Sequence, residues 1–344
     1  MKHIRTIMIV AVAAISGVGL AACGGSSSTS SSSASPSSGS SQSASGTSTS
    51  GNSSKVTTLK VGIVAASSLA TDYLGIQQGY FAQQGLKLNF IPGETAAALV
   101  AQVLSGQVNI TFAPTASVIA ADANGAKLQM IGPQGGLIAP NQPSSAIVVL
   151  PGSPIKTVKE LVGKTVGVIA LKSELDVLMH TEVKNAGGDE KAVQSVQIPF
   201  PTMYTALKAH RVDAIVTTEP FLTIAKEQGV RTISNLETDL LPNGSTGAWV
   251  ATQSYIKANP AIIKAFQKAN AQSIVYTKAH VAAARALLPK ITSMAPALAK
   301  IVNLGLIYDP NLNVASIEKL GGMMKDLGYV PNVPPVSQLI APGS

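Results

Sequence analysis

The stretch LKVGIVAASSLATDYLGIQQGYFAQQGLKLNF, residues 59–90, reads as a strand, a helix and a second strand in succession. Residues 59–65 are β-rich, Thr71 is placed to cap a helix running through Gln83, Gly85 stops that helix, and residues 86–90 resume as strand. The unit then repeats. A helix over 95–104 stopped by Gly106, a strand at 108–112, a helix over 115–123 ended near Gly125 and a strand at 128–131 give the order β-α-β-α-β-α-β. That is the signature of an α/β fold with a parallel sheet.

Working outward toward the C-terminus, a Pro/Gly-rich passage (132–143) leads to a strand at 146–150. This runs into Pro151-Gly152-Ser153-Pro154, a break suited to crossing into a second lobe. The second lobe opens with a capping box at Thr157…Glu160 and a strand at 165–169, followed by another box at Ser173…Asp176. Strand 193–198, helix 202–209, strand 213–217, helix 220–228 and strand 230–233 complete it. Residues 241–244 read as the return crossing, a strand at 247–253 as rejoining the first lobe, and the remainder as helical, with a long helix from Pro260 to about His280. Two crossings place hinge segments near 150–156 and 241–246 and predict a two-lobed body: lobe 1 from 55–150 and 244–344, lobe 2 from 151–243.

Working outward in the other direction, residues 23–54 are almost entirely Ser, Gly, Thr and Ala, a composition that cannot bury enough apolar surface to offset its ordering entropy. A flexible coil of that length has an r.m.s. span of about 30 Å. Before it, Lys2, His3 and Arg5 precede an apolar run (7–22), the charged and apolar regions of an export signal. The run is short against the ~20 apolar residues that a membrane span requires. Leu20-Ala21-Ala22-Cys23 resembles the lipobox of bacterial lipoproteins, which implies a signal peptide over 1–22, cleavage before Cys23 and a lipid on its thiol. Cys23 is the only cysteine, so the folded body has no disulfide, cysteine metal cluster or cysteine nucleophile.

The chain is 46% hydrophobic and only 12% charged, with a formal charge of +8. Without Lys2 and Arg5 the balance is 23 basic against 17 acidic residues, or +6. No basic run interleaved with aromatics occurs, which argues against nucleic acid as a partner. His180, His210 and His280 lack metal-ligand spacing, and no cofactor fingerprint is visible.

Several stretches resemble the SsuA/THI5-like (NMT1) substrate-binding proteins of ABC importers, which have the type II periplasmic-binding-protein fold. Gly79-Tyr80-Phe81-Ala82-Gln83-Gln84-Gly85-Leu86 is similar to that group's glycine-aromatic-Phe…Gly-Leu segment. Leu104-Ser105-Gly106-Gln107-Val108-Asn109-Ile110 is similar to its strand entry, with Asn109 in place of the usual Asp. Residues 158–168, VKELVGKTVGV, and 206–214, ALKAHRVDA, followed by Glu219-Pro220-Phe221, match in order and spacing.

The resemblance implies a ligand held between two lobes, in agreement with the rule that open α/β sheets bind at the C-terminal ends of their strands. The candidate contacts are therefore Ser67, Ser68 and Asp72; Glu94 and Thr95; Pro114 and Thr115; Lys172, Ser173 and Glu174; and Glu219. Trp249 is placed to stack on a planar ligand or to pack in the core. Ser173 and Thr115 sit at helix starts, where contact with a ligand competes with plain capping. Several carboxylates against Lys172 alone favour an amine or aminopyrimidine over sulfonate or nitrate, although first-turn acidic residues also complement helix dipoles.

By the resemblance, the chain is a monomeric, lipid-anchored binding component outside the cytoplasm, working with a permease and an ATPase, and not an enzyme. Two alternatives stay open. One is a sensory module presenting its ligand to a membrane receptor. The other is a biosynthetic enzyme of the same fold; the group's pyrimidine synthase uses a cysteine-rich motif that this chain lacks.

Overall fold

The computed structural model describes residues 56–344 apart from Thr246 and Gly305. The expected signal peptide, Cys23, the tether and Thr246 of the return crossing lie outside the described residues. Twelve strands are assigned within them: β1 (Thr57–Ile63), β2 (Leu86–Pro92), β3 (Ile110–Pro114), β4 (Leu128–Pro133), β5 (Leu137–Ile138), β6 (Ser145–Val149), β7 (Thr165–Val168), β8 (Gln194–Gln197), β9 (Ala214–Thr218), β10 (Arg231–Ser234), β11 (Gly247–Thr252) and β12 (Leu306–Ile307). They form one five-stranded sheet of order β2-β1-β3-β11-β4, a second of order β10-β6-β9-β7-β8, and the short pair β12-β5. No described helix is long and apolar enough to cross a membrane.

The α/β class follows the alternation in the sequence, and the departures from it are long-range. The sheets are mixed: β11 lies antiparallel between β3 and β4, β6 is antiparallel to β9, and β10 is antiparallel to β6. The strand expected to end the first lobe, β6, is hydrogen-bonded into the second sheet. Its five residues are all buried, so pairing on both sides, with β9 and β10, completes its backbone. The chain thus passes from the first sheet to the second before Ser145. The Pro151–Pro154 break is a loop beyond β6, held by the Arg231 guanidinium on the carbonyls of Ser153 and Ile155.

The helix expected from Thr71 to Gln83 is two helices. A 3-10 turn (Ser67–Leu69) leads into helix Ala70–Gln77, in which Thr71 is buried rather than capping. Gly79, at φ +74°, adopts the left-handed conformation that a residue without Cβ takes at little cost, and redirects the chain into Tyr80–Gln83. This sends Phe81 into the core, 5.8 Å from Phe266. The Thr157…Glu160 box forms, with Glu160 accepting the Thr157 N–H at 3.0 Å. The Ser173…Asp176 box does not form, because Asp176 turns back to the Lys172 N–H instead.

Two apolar clusters position the site. Leu59, Val61, Ile110, Trp249 and Phe266 fill the first sheet's outer face. A second cluster is continuous across both sheets through helices Thr115–Ala123, Glu174–Asn185 and Val314–Asp326, with Val118, Ile119, Val177, Leu178, Ile317 and Leu320 fully buried. Burying each such side chain stabilises the native state by about 1.5–3 kcal/mol. Those helices therefore hold the two sheets together on one flank.

Candidate functional site

Strand ends from both sheets meet where helix Thr115–Ala123 follows β3 and helix Glu174–Asn185 follows the loop after β7. The backbone N–H of Ala116 bears on the Glu174 carboxyl from the opposite sheet, without closing a hydrogen bond of good geometry. Both crossings are pinned nearby. Thr115 Oγ1 donates to the Ser245 carbonyl at 2.5 Å, and Ser245 Oγ accepts the Asn313 N–H at 2.9 Å. The Ser144 carbonyl accepts from Glu219 N–H and Thr218 Oγ1, each at 2.8 Å, and Asn303 Nδ2 donates to the Pro143 carbonyl at 3.1 Å.

Carboxyl groups dominate this junction. Glu174 is 7% exposed, and neither of its oxygens has a hydrogen-bond partner. Burial first, and the charge of Glu237 second, push its pKa well above the usual carboxylate range. Glu237, 8% exposed, is also raised by burial, and its Oε2 accepts from Ser144 Oγ at 2.9 Å. The fully buried Ser145 Oγ lies against Glu237 without a partner in good geometry. Glu219 is raised by burial as well, although Thr223 donates to it from backbone N–H (3.1 Å) and Oγ1 (3.0 Å).

The residues expected from the sequence divide into two groups. Glu174, Ser173, Thr115, Pro114 and Glu219 belong to the junction. Ser173 Oγ is buried and unpartnered beside Glu174. Ser67 and Ser68, half-buried after β1, meet the loop after β4: a Cβ added at Gly135 (φ +87°) would come within 2.6 Å of Ser68 Cβ. The others lie apart from a common site. Glu94 and Thr95 are exposed, and Thr95 caps its helix through the Ala98 N–H. Lys172 holds its ammonium 5.5 Å from the centre of the Tyr329 ring.

Trp249 is wholly buried, edge-on to Phe266 at 5.9 Å, which makes it core rather than a stacking platform. Its indole N–H and the Gln134 side chain bear on Asp72, which is also fully buried; burial raises the Asp72 pKa to about 7 against the lowering influence of its own backbone N–H and, after it, of Gln134 and Trp249. Sequence reasoning missed Glu237, Ser144, Ser145, Gln134 and the stacked pair Phe200 and Phe221, whose rings lie 5.7 Å apart at the ends of β8 and β9. Phe221 was legible in its Glu-Pro-Phe motif. Glu237 carries no local signal.

An open groove of about 710 Å³ lies on the flank of helix Pro260–Ala279, lined by Ile131, Lys264, Gln267, Asn270 and Ser344. It draws nothing from the second sheet, so the strand-end junction is the better candidate site. Among the described residues no group of three or more His, Cys, Asp or Glu side chains is arranged to hold a metal ion. Asp176, His180 and Ser195 assemble beside the junction, but Ser195 Oγ donates to Asp176 at 2.6 Å and His180 Nδ1 is committed to the Glu190 carbonyl at 2.8 Å. With the hydroxyl proton given to the carboxylate, the set does not form a base-activated nucleophile.

The family model described as NMT1/THI5 like matches residues 66–284. No curated protein sequence matches the chain. Its fold is similar to that of the periplasmic aliphatic sulphonate binding protein SsuA from Escherichia coli, with a TM-score of 0.68 and 21% identity over 83% of this chain and 92% of that one. The alkanesulfonate-binding protein SsuA from Xanthomonas axonopodis pv. citri, bound to MOPS, is similar at TM-score 0.65 and 17% identity over 83% and 96% of the two chains. The periplasmic nitrate-binding protein NrtA from Synechocystis PCC 6803 is similar at TM-score 0.64 and 12% identity over 80% and 83%.

Proposed function

The chain belongs to the NMT1/THI5-like family, and from that premise we propose that it is the extracytoplasmic solute-binding component of an ABC importer. The observation that carries this reading is the approach of Ala116 N–H to Glu174, which brings strand ends of two separate sheets to one point. Two connections between the sheets, before Ser145 and before Gly247, let such lobes part and close. Ligand contacts to both lobes favour the closed form, which the permease and ATPase subunits then recognise. No bond of the ligand is made or broken.

Lobe 1 comprises the first sheet with the C-terminal helices, and lobe 2 the second sheet. The protein acts as a monomer, tethered through residues 23–54 to a lipid on Cys23. The carboxyl-rich junction favours a nitrogenous small molecule over sulfonate or nitrate.

Thermal unfolding of the full chain in detergent micelles against aminopyrimidines, purines, polyamines, alkylsulfonates, nitrate and riboflavin tests the reading. A ligand bound only by the native state adds RT ln(1 + [L]/Kd), about 2.7 kcal/mol at a hundred times Kd. A saturable upward shift with an unchanged ligand supports it. Conversion of the ligand, seen by mass spectrometry, would replace it with the enzyme alternative. In the same preparation, Cys23→Ala abolishes palmitate labelling if the anchor is as proposed; retained labelling refutes the anchor.

A further inference from the structure

We propose that Glu174 and Glu237 select the ligand's head group, accepting a cationic or N–H-rich nitrogen group and turning oxyanions away. This deepens the solute-binding reading and rests on it. Four oxygens at the junction are buried without partners: Oε1 and Oε2 of Glu174, Ser145 Oγ and Ser173 Oγ. Ser145 is fully buried and lies against Glu237, and Glu174 is buried to more than nine-tenths. Native interiors rarely leave such groups unpaired, since each unmade hydrogen bond costs about 1–3 kcal/mol. The Glu174 oxygens lack donors and the two hydroxyls lack any partner in good geometry, and a ligand bearing several N–H groups supplies donors to all four.

The same arrangement disfavours an anion. The start of helix Thr115–Ala123 presents free backbone N–H groups and the positive end of a dipole, which would welcome an oxyanion. Here the Glu174 carboxyl lies against the Ala116 N–H. An anion entering beside it would meet the Glu237 charge that already raises Glu174. No lysine or arginine is among the groups acting on either carboxyl, and Lys172, the nearest basic residue in sequence, is held over Tyr329. Lobe closure on a cation instead lets Glu174, held toward its neutral form by burial and by the Glu237 charge, ionise as part of an ion-paired cluster.

The test is calorimetric titration of the full chain in detergent micelles with 4-aminopyrimidine and spermidine, and separately with methanesulfonate and nitrate. Glu174→Gln, Glu237→Gln and the exposed-surface variant Glu227→Gln are titrated alongside. Glutamine keeps the shape and removes the ability to ionise, and a cooperative thermal melt verifies that each variant folds. At least one nitrogenous probe should bind, with Kd rising tenfold or more in Glu174→Gln and in Glu237→Gln and unchanged in Glu227→Gln. Binding of methanesulfonate or nitrate that Glu174→Gln leaves unchanged overturns the selectivity and leaves the transport reading intact, whereas absence of heat with both nitrogenous probes overturns the selectivity alone. Chemical conversion of a probe with the same dependence on Glu174 would instead sink the transport reading and keep the head-group assignment.

Discussion

Glu174 and Asp176 stand two positions apart in the first turn of one helix, both buried, and their ionisation moves in opposite directions. Asp176 collects the Lys172 N–H at 2.7 Å, Ser195 Oγ at 2.6 Å, Tyr329 Oη at 3.2 Å and the His180 ring at 3.4 Å. Burial works to raise its pKa, but hydrogen bonds from His180, Ser195 and Lys172 outweigh that and hold it below the ordinary value. Glu174 is buried as well, has no such partners, and is raised. Burial alone therefore does not decide whether a carboxyl here is charged; the donors that the fold brings to it do.

His180 carries the positive half of the satisfied cluster. Its Nδ1 faces a carbonyl and so bears a proton; because Ser195 gives its own proton to Asp176, Nε2 at 3.0 Å from Ser195 Oγ must donate too. The network thus implies an imidazolium. Burial opposes that charge, but the hydrogen bond and charge of Asp176 outweigh it and raise the His180 pKa.

Asp72 offers the sharpest way to break the contrast, since it shares the fate of Glu174 elsewhere in the fold. Its pKa rises from 3.8 to about 7 on folding. Stability from keeping it protonated is complete below pH 3.8 and is lost as pH climbs through about 7, by about 4 kcal/mol. Urea unfolding of Asp72→Asn should lack this component of the pH profile; a profile identical to the wild type would mean that folding leaves the Asp72 pKa unshifted.

Next in size, Asp176→Asn leaves an imidazolium and two hydroxyl groups short of their acceptor and should cost about 3 kcal/mol at pH 7. Glu174→Gln, measured the same way without ligand at pH 8, should stabilise. If both substitutions destabilise alike, the contrast between the two carboxyls fails.

The smallest expected effect is that of His180→Gln, about 1–2 kcal/mol. The His180 contribution is present below its unfolded pKa of 6.5 and disappears as pH rises through its higher folded value. The penalty should therefore be larger at pH 5.5 than at pH 9, and equal penalties at the two would argue that His180 is neutral in the native state.

What the sequence by itself determined is local. The alternation of strand and helix, the stop at Gly85, the capping box at Thr157 and the start of helix Thr115–Ala123 are each decided within a few residues, by side-chain periodicity and by which backbone groups a neighbour can satisfy. The same reading put Glu174, Thr115 and Glu219 at strand ends, because strand ends are local features. Only the tertiary structure decided that β6 pairs in the second sheet, that β11 lies antiparallel between β3 and β4, that Trp249 is core, and that Glu237 meets Glu174 from 63 positions away. A strand pattern states that edges need partners but not which partners, and a carboxyl's charge depends on donors brought to it across the fold.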